Sequence, residues 1–133
     1  MEKVPALGLA MLTLGIFELA WCAFCVFGGL FLGLAGPLLE EMPMYVFVAG
    51  GLAYLLLAVA ALLMGIIHVV AGWQLWKGRG RILGIVGLAV CAVSMILALY
   101  CAPISLSVLV LGIVVYVDPK VHAAFDEAEK VTG

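Results

Sequence analysis

The chain has 133 residues, 68% of them apolar and 11% charged, with a net charge of −2. Ordinary globular proteins are roughly 45–50% apolar and 25% charged, and a chain this short has no interior able to hide the difference. That composition and a mean hydropathy of +1.36 exclude a soluble domain, and the lack of a basic run excludes a nucleic-acid partner.

Turn and charge punctuation leaves four apolar segments in a single transmembrane domain, with predicted spans at about residues 6–36, 44–76, 82–100 and 103–117. The first follows Met1-Glu2-Lys3. A cleaved leader is not expected there, because Glu18 interrupts the apolar run and no clean small-x-small site follows. Trp21 is also too large beside Cys22 for a lipoprotein signal. The first span ends at Gly36-Pro37, before Glu40-Glu41 and Pro43, and the second at Lys77-Gly78-Arg79-Gly80-Arg81. The third stops at Pro103 and the fourth at Asp118-Pro119. Only helices or closed barrels cross a bilayer, and no segment alternates with period two, so all four read as helices. One continuous helix over the last two is the alternative; the Ala102-Pro103 break favours a hairpin. The first two spans exceed the bilayer and are expected to tilt or project, leaving Val4–Thr13 partly outside its core.

The tail, about residues 119–130, reads as a short amphipathic helix with Asp118 as N-cap and Pro119 in first position. Val121, Ala124, Phe125 and Ala128 share one face; Asp126, Glu127, Glu129 and Lys130 are left to water. Three placements stay open: on the membrane, docked under the bundle, or on a partner. Its negative charge disfavours anionic lipid.

The basic residues are Lys3, Lys77, Arg79, Arg81, Lys120 and Lys130. With four spans and both termini cytoplasmic, all lie inside, and the outer loops keep only Glu40 and Glu41. That is the positive-inside pattern. Trp73, Trp76 and Tyr116 then fall near the inner edge, and Tyr45 and Tyr100 near the outer edge. The expected fold is all-α: an integral membrane four-helix bundle, N-in/C-in, with the tail helix in the cytoplasm.

Between membrane helices, close packing through small residues replaces the hydrophobic effect. Such stripes run along Gly15, Glu18, Cys22, Cys25, Gly29, Gly33 and Gly36, along Gly50, Tyr54, Ala58, Ala61, Gly65, His68 and Gly72, and along Gly80, Gly84, Gly87, Cys91, Ser94, Ala98 and Cys101. Gly29, Gly33, Gly65, Gly84 and Gly87 are the expected packing positions. The plainer reading is that any glycine-rich membrane sequence throws up such stripes. Phe17, Trp21, Phe24, Phe27 and Phe31 lie on another face of the first span, as a ridge toward lipid or a partner.

Glu18 is the only acid within the spans, and both it and His68 fall in the cytoplasmic half. They are the candidate intramembrane polar pair. Against that stands a structural role, with Glu18 reaching water or a basic residue of the 77–81 turn. Cys22, Cys25 and Cys91 form a candidate thiol cluster for redox chemistry or Cu(I); buried cysteine is also a common packing residue. No H-x-x-x-H pair, G-x-S-x-G or phosphate loop occurs, so neither a catalytic site nor a cofactor is expected.

The stretch Gly72-Trp73-Gln74-Leu75-Trp76-Lys77-Gly78-Arg79-Gly80-Arg81-Ile82-Leu83-Gly84, a short third span, and Leu111–Phe125 with Asp118-Pro119-Lys120 together resemble small uncharacterised prokaryotic four-helix membrane proteins. Those carry a glycine-and-basic turn before aromatic-Ala-Arg-Ile-Leu, and an acidic-x-Lys-x-x-Phe tail. Here Gly80 replaces the Ala and the aromatic is missing. The resemblance covers roughly residues 60–125. It implies the four-helix topology and a prokaryotic inner membrane, and brings no activity.

Three functions fit. The first is a non-enzymatic scaffold or accessory subunit that associates with lipid-embedded helices, of its own kind in a homo-oligomer or of another membrane protein. The second is an oligomeric channel or transport element using Glu18 and His68. The third is a thiol-redox or Cu(I) site at Cys22, Cys25 and Cys91.

Overall fold

The computed structural model describes residues 3–38, 43–97 and 102–132. Glu40, Glu41, Ala98, Tyr100 and Cys101 lie outside the described residues. Five α-helices follow in order: α1 (Lys3–Ala35), continued by a 3-10 turn at Gly36–Leu38, α2 (Met44–Trp76), α3 (Arg81–Leu97), α4 (Ala102–Val117) and α5 (Pro119–Thr132). No strand occurs among the described residues. Helices α1 and α2, 33 residues each, are long and apolar enough to cross a membrane. At 1.5 Å per residue each measures about 50 Å, well beyond the ~30 Å hydrocarbon core. Helices α3 and α4 are apolar but shorter, at 17 and 16 residues.

The turn between α2 and α3 shows why the sequence breaks there. Gly78 and Gly80 take φ of +70° and +79°, a region that costs any residue with a Cβ. Gly78 N–H donates to the Leu75 carbonyl and Arg79 N–H to that of Gln74, both at 2.9 Å. These two bonds close the end of α2 in a Schellman arrangement. Helices α3 and α4 pack on each other, with Leu88 against Gly112. They form a hairpin and not one continuous helix.

Glycines set the antiparallel register of α1 and α2. Gly8 lies on Gly72, Gly15 on Gly65, and Gly29 on Gly51, each backbone to backbone. A methyl on Gly72 would sit 2.7 Å from the Gly8 carbonyl oxygen. The inward face of Val4–Thr13 belongs to the core: Val4, Leu7 and Met11 pack with Ala71, Leu75, Val108, Val115, Val121 and Phe125. The long first helix is therefore covered at this end by protein.

Helices α2 and α4 supply most of that cover, and α5 adds Val121 and Phe125 at the end of the cluster. Helix α5 leaves α4 at 77°, capped by Asp118, whose Oδ1 accepts the Lys120 N–H at 3.0 Å. Val121 and Phe125 are buried beneath the bundle, and Phe125 stacks on Tyr116 with ring centroids 6.1 Å apart. Lys3 donates to Asp118 Oδ2 at 2.8 Å, tying the start of α1 to the α4–α5 corner. Of the three placements open to the tail, this is the docked one.

Candidate functional site

The close approach of α1 and α2 places two ionisable side chains in contact. One turn beyond Gly15 stands Glu18, and one turn beyond Gly65 stands His68. With only hydrogens at the two glycines, the backbones come near enough for Glu18 Oε2 and His68 Nδ1 to lie 2.6 Å apart. Helix α3 closes the site from the third side. Its Ser94 hydroxyl donates to Glu18 Oε1 at 2.8 Å, and its Gly87 carbonyl oxygen is 3.0 Å from His68 Nε2. Gly87 packs against Ala71 and Met11, which brings the α3 backbone within reach of the imidazole. Glu18, His68 and Ser94 have no solvent-exposed surface.

Donor and acceptor chemistry fixes most of the protons. A carbonyl only accepts, so His68 Nε2 carries hydrogen. The Ser94 hydroxyl supplies Oε1. One proton is left between Oε2 and Nδ1. The pair is net neutral wherever that proton sits, as carboxylate beside imidazolium or as carboxylic acid beside imidazole. Loss of that proton leaves a bare negative charge in a dry interior, which is costly. A saturated cluster of this kind costs little to bury and joins three helices through side chains and one carbonyl.

Several sequence expectations change here. Glu18 neither reaches water nor pairs with a basic residue of the 77–81 turn; its two oxygens are taken by His68 and Ser94. Cys25 and Cys91 are buried and Cys22 half-buried, all as free thiols. Cys91 Sγ points toward α4, 3.8 Å from the Ser105 carbonyl oxygen. Among the described residues no three His, Cys, Asp or Glu side chains are grouped to hold a metal ion. The C-x-x-C pair on α1 and Cys91 on α3 are thus not assembled into a three-thiol ion site. Ser105 itself is fully buried, and among the described residues its hydroxyl finds no hydrogen-bond partner.

Of the expected packing glycines, Gly29, Gly65, Gly84 and Gly87 are buried. Gly84 lies under the Tyr116 hydroxyl and Leu75. Gly33 is different: it is exposed, and a Cβ there would meet nothing within 4 Å. Beyond it the 3-10 turn packs on α2 through Gly36, which is covered by Phe47. On the ridge, Phe17, Phe24, Phe27 and Phe31 are each more than half exposed, and Trp21 stacks on Phe24 at 4.9 Å. Ser94 and the Gly87 carbonyl were not singled out from the sequence as partners of the polar pair. Their signal was faint: both lie on the small-residue stripe of α3.

No family model matches the chain, and neither the curated proteins nor the solved structures give a significant match.

Proposed function

We propose that the chain is a small non-enzymatic tetraspan membrane protein that works by helix–helix association, as a scaffold or accessory subunit. Helices α1–α4 cross the bilayer as a bundle, and both termini and α5 lie in the cytoplasm. The resemblance of residues 60–125 favours a prokaryotic inner membrane. Positive-inside asymmetry supports the orientation. At the α2 end Trp73 and Trp76 meet edge to face at 5.6 Å and Lys77 Nζ lies 4.7 Å from the Trp73 ring centroid. Aromatic rings beside a lysine suit the headgroup level.

The observation that carries the function is the contrast between interior and surface. Among the described residues the buried acid–imidazole pair holds three helices together, while a row of four phenylalanines stands outward on α1. Partners for such a ridge are apolar: a second copy, or the spans of another membrane protein. Replacing Phe24→Ala and Phe31→Ala together is expected to lower the assembled fraction in size-exclusion chromatography with light scattering. Assembly unchanged by both substitutions contradicts the proposal.

A second reading rests on the 2.6 Å contact of Glu18 and His68: a proton-handling transport element. It ranks second because both side chains are sealed and their hydrogen-bonding atoms occupied. Proton flux into liposomes that disappears with Glu18→Gln would put it first.

A further inference from the structure

The end of the bundle holds a second histidine in a defined state. His122, on α5, lies between Arg81 at the start of α3 and the last turn of α4. Its Nε2 is 2.7 Å from the Tyr116 carbonyl oxygen, which only accepts, so Nε2 carries hydrogen. Its Nδ1 faces a guanidinium nitrogen of Arg81, which only donates, so Nδ1 is the bare acceptor. His122 is therefore neutral when α5 is docked. The Tyr116 hydroxyl completes the corner by donating to the Arg81 carbonyl oxygen at 3.0 Å.

We propose that this corner is a proton-sensitive latch: protonation of His122 releases α5 from the underside of the bundle. A proton on Nδ1 faces the Arg81 guanidinium, so an accepted hydrogen bond becomes a clash of two N–H groups and two positive charges. Asp118 and Asp126 stand one turn to either side of His122, and each already has a cationic partner, Lys3 and Arg81. Asp126, one turn along α5, is engaged by Arg81 through NH1 at 3.3 Å. If Asp126 turned to the imidazolium instead, Arg81 would lose both of its contacts to α5. From α1, Lys3 adds a further positive charge near the corner, held by Asp118; Lys120 is positive as well. Uptake of a proton at this corner therefore opposes docking of α5. Release uncovers the apolar face of Val121 and Phe125 and the surface of Val4, Pro5 and Trp76 beside it.

The test is amide hydrogen exchange on the full-length protein in detergent, with rates corrected for the intrinsic effect of pH. Protection of α5 is expected to fall by up to about tenfold between about pH 7.5 and 5.5, as far as uptake of one proton allows, while α1 and α2 stay protected. With His122→Gln, α5 protection is expected to be independent of pH over this range. With Asp126→Asn the pH dependence is expected to remain. Equal α5 protection at both pH values in the unaltered protein overturns the proposal, as does a fall that survives in His122→Gln.

Discussion

Glu18 is the residue on which the interior turns. Its carboxyl group is held by an imidazole from α2 and a hydroxyl from α3, and the two partners are not equivalent. Ser94→Ala removes one interhelical hydrogen bond, which in membrane proteins costs about 0.6–2 kcal/mol. His68→Ala strips a buried carboxyl group of its charge-balancing partner, and breaking a buried pair in this way costs about 3–5 kcal/mol. Unfolding in mixed micelles of increasing SDS fraction is expected to rank His68→Ala well below Ser94→Ala. Equal losses would mean that Glu18 finds other partners. The Glu18–His68 pair was legible in the sequence because ionisable residues inside spans are rare and these two lie at the same depth. Ser94 and the Gly87 carbonyl were not, because serines and carbonyls are everywhere in such a chain. Which of them faces Glu18 depends on how α3 is rotated about its axis, and hydropathy does not encode that.

Individual helices follow the same logic of close approach. At Gly72 an added methyl would strike the α1 backbone, with Gly8 O and Leu12 N both at 2.7 Å. At Gly33 it would meet open space. Gly72→Ala is therefore expected to destabilise by about 1–3 kcal/mol or more, since backbone cannot move aside as a flexible side chain does. Gly33→Ala is expected to stabilise α1 by up to about 1 kcal/mol through helix propensity alone. The same micelle titration distinguishes them, and a loss at Gly33 would point to an intermolecular contact there. Both glycines sit on small-residue stripes, so the stripe pattern alone did not separate them. The separation comes from direction: a Cβ on Gly72 would point into the α1 backbone and one on Gly33 into open space, although the Gly33 nitrogen itself lies near Gly51. In α5 the amphipathic pattern was readable, but the Arg81–His122 contact depends on a 77° bend and was not. The Lys3–Asp118 contact carries a pH dependence of its own. The hydrogen bond from Lys3, then that from the Lys120 N–H, holds the Asp118 carboxyl below the usual carboxylate range. A lowered folded-state value gives stability that is present above the unfolded value, about 3.9, and is lost as pH falls through the lowered one. Asp118→Asn is expected to remove that strongly acidic limb and leave the His122-linked change in place, as read by α5 protection.

At the scale of the whole molecule, the all-helical class was plain from composition and punctuation, since apolar runs of this length without period-two alternation leave the backbone no other way to satisfy itself in lipid. The number of crossings rests on more than length. Helices α1 and α2 suffice by themselves, while α3 and α4, at about 25 Å, would cross only with some thinning of the bilayer or with the flanking Arg81 and Asp118 bridging the difference. Reporter fusions at both ends are expected to place both termini in the cytoplasm; an external C-terminus would mean that α3 and α4 do not cross separately. On the proposed topology little extramembrane surface is left with which to act, and the phenylalanine ridge of α1 stands outward. Native mass spectrometry of the protein extracted from its own membrane in a mild detergent reads association without assuming a partner. The expected result is one assembly of fixed stoichiometry, either copies of this chain or a defined complex with another membrane protein. A bare monomer as the only species would contradict association as the function, and would return attention to the proton held between Glu18 and His68.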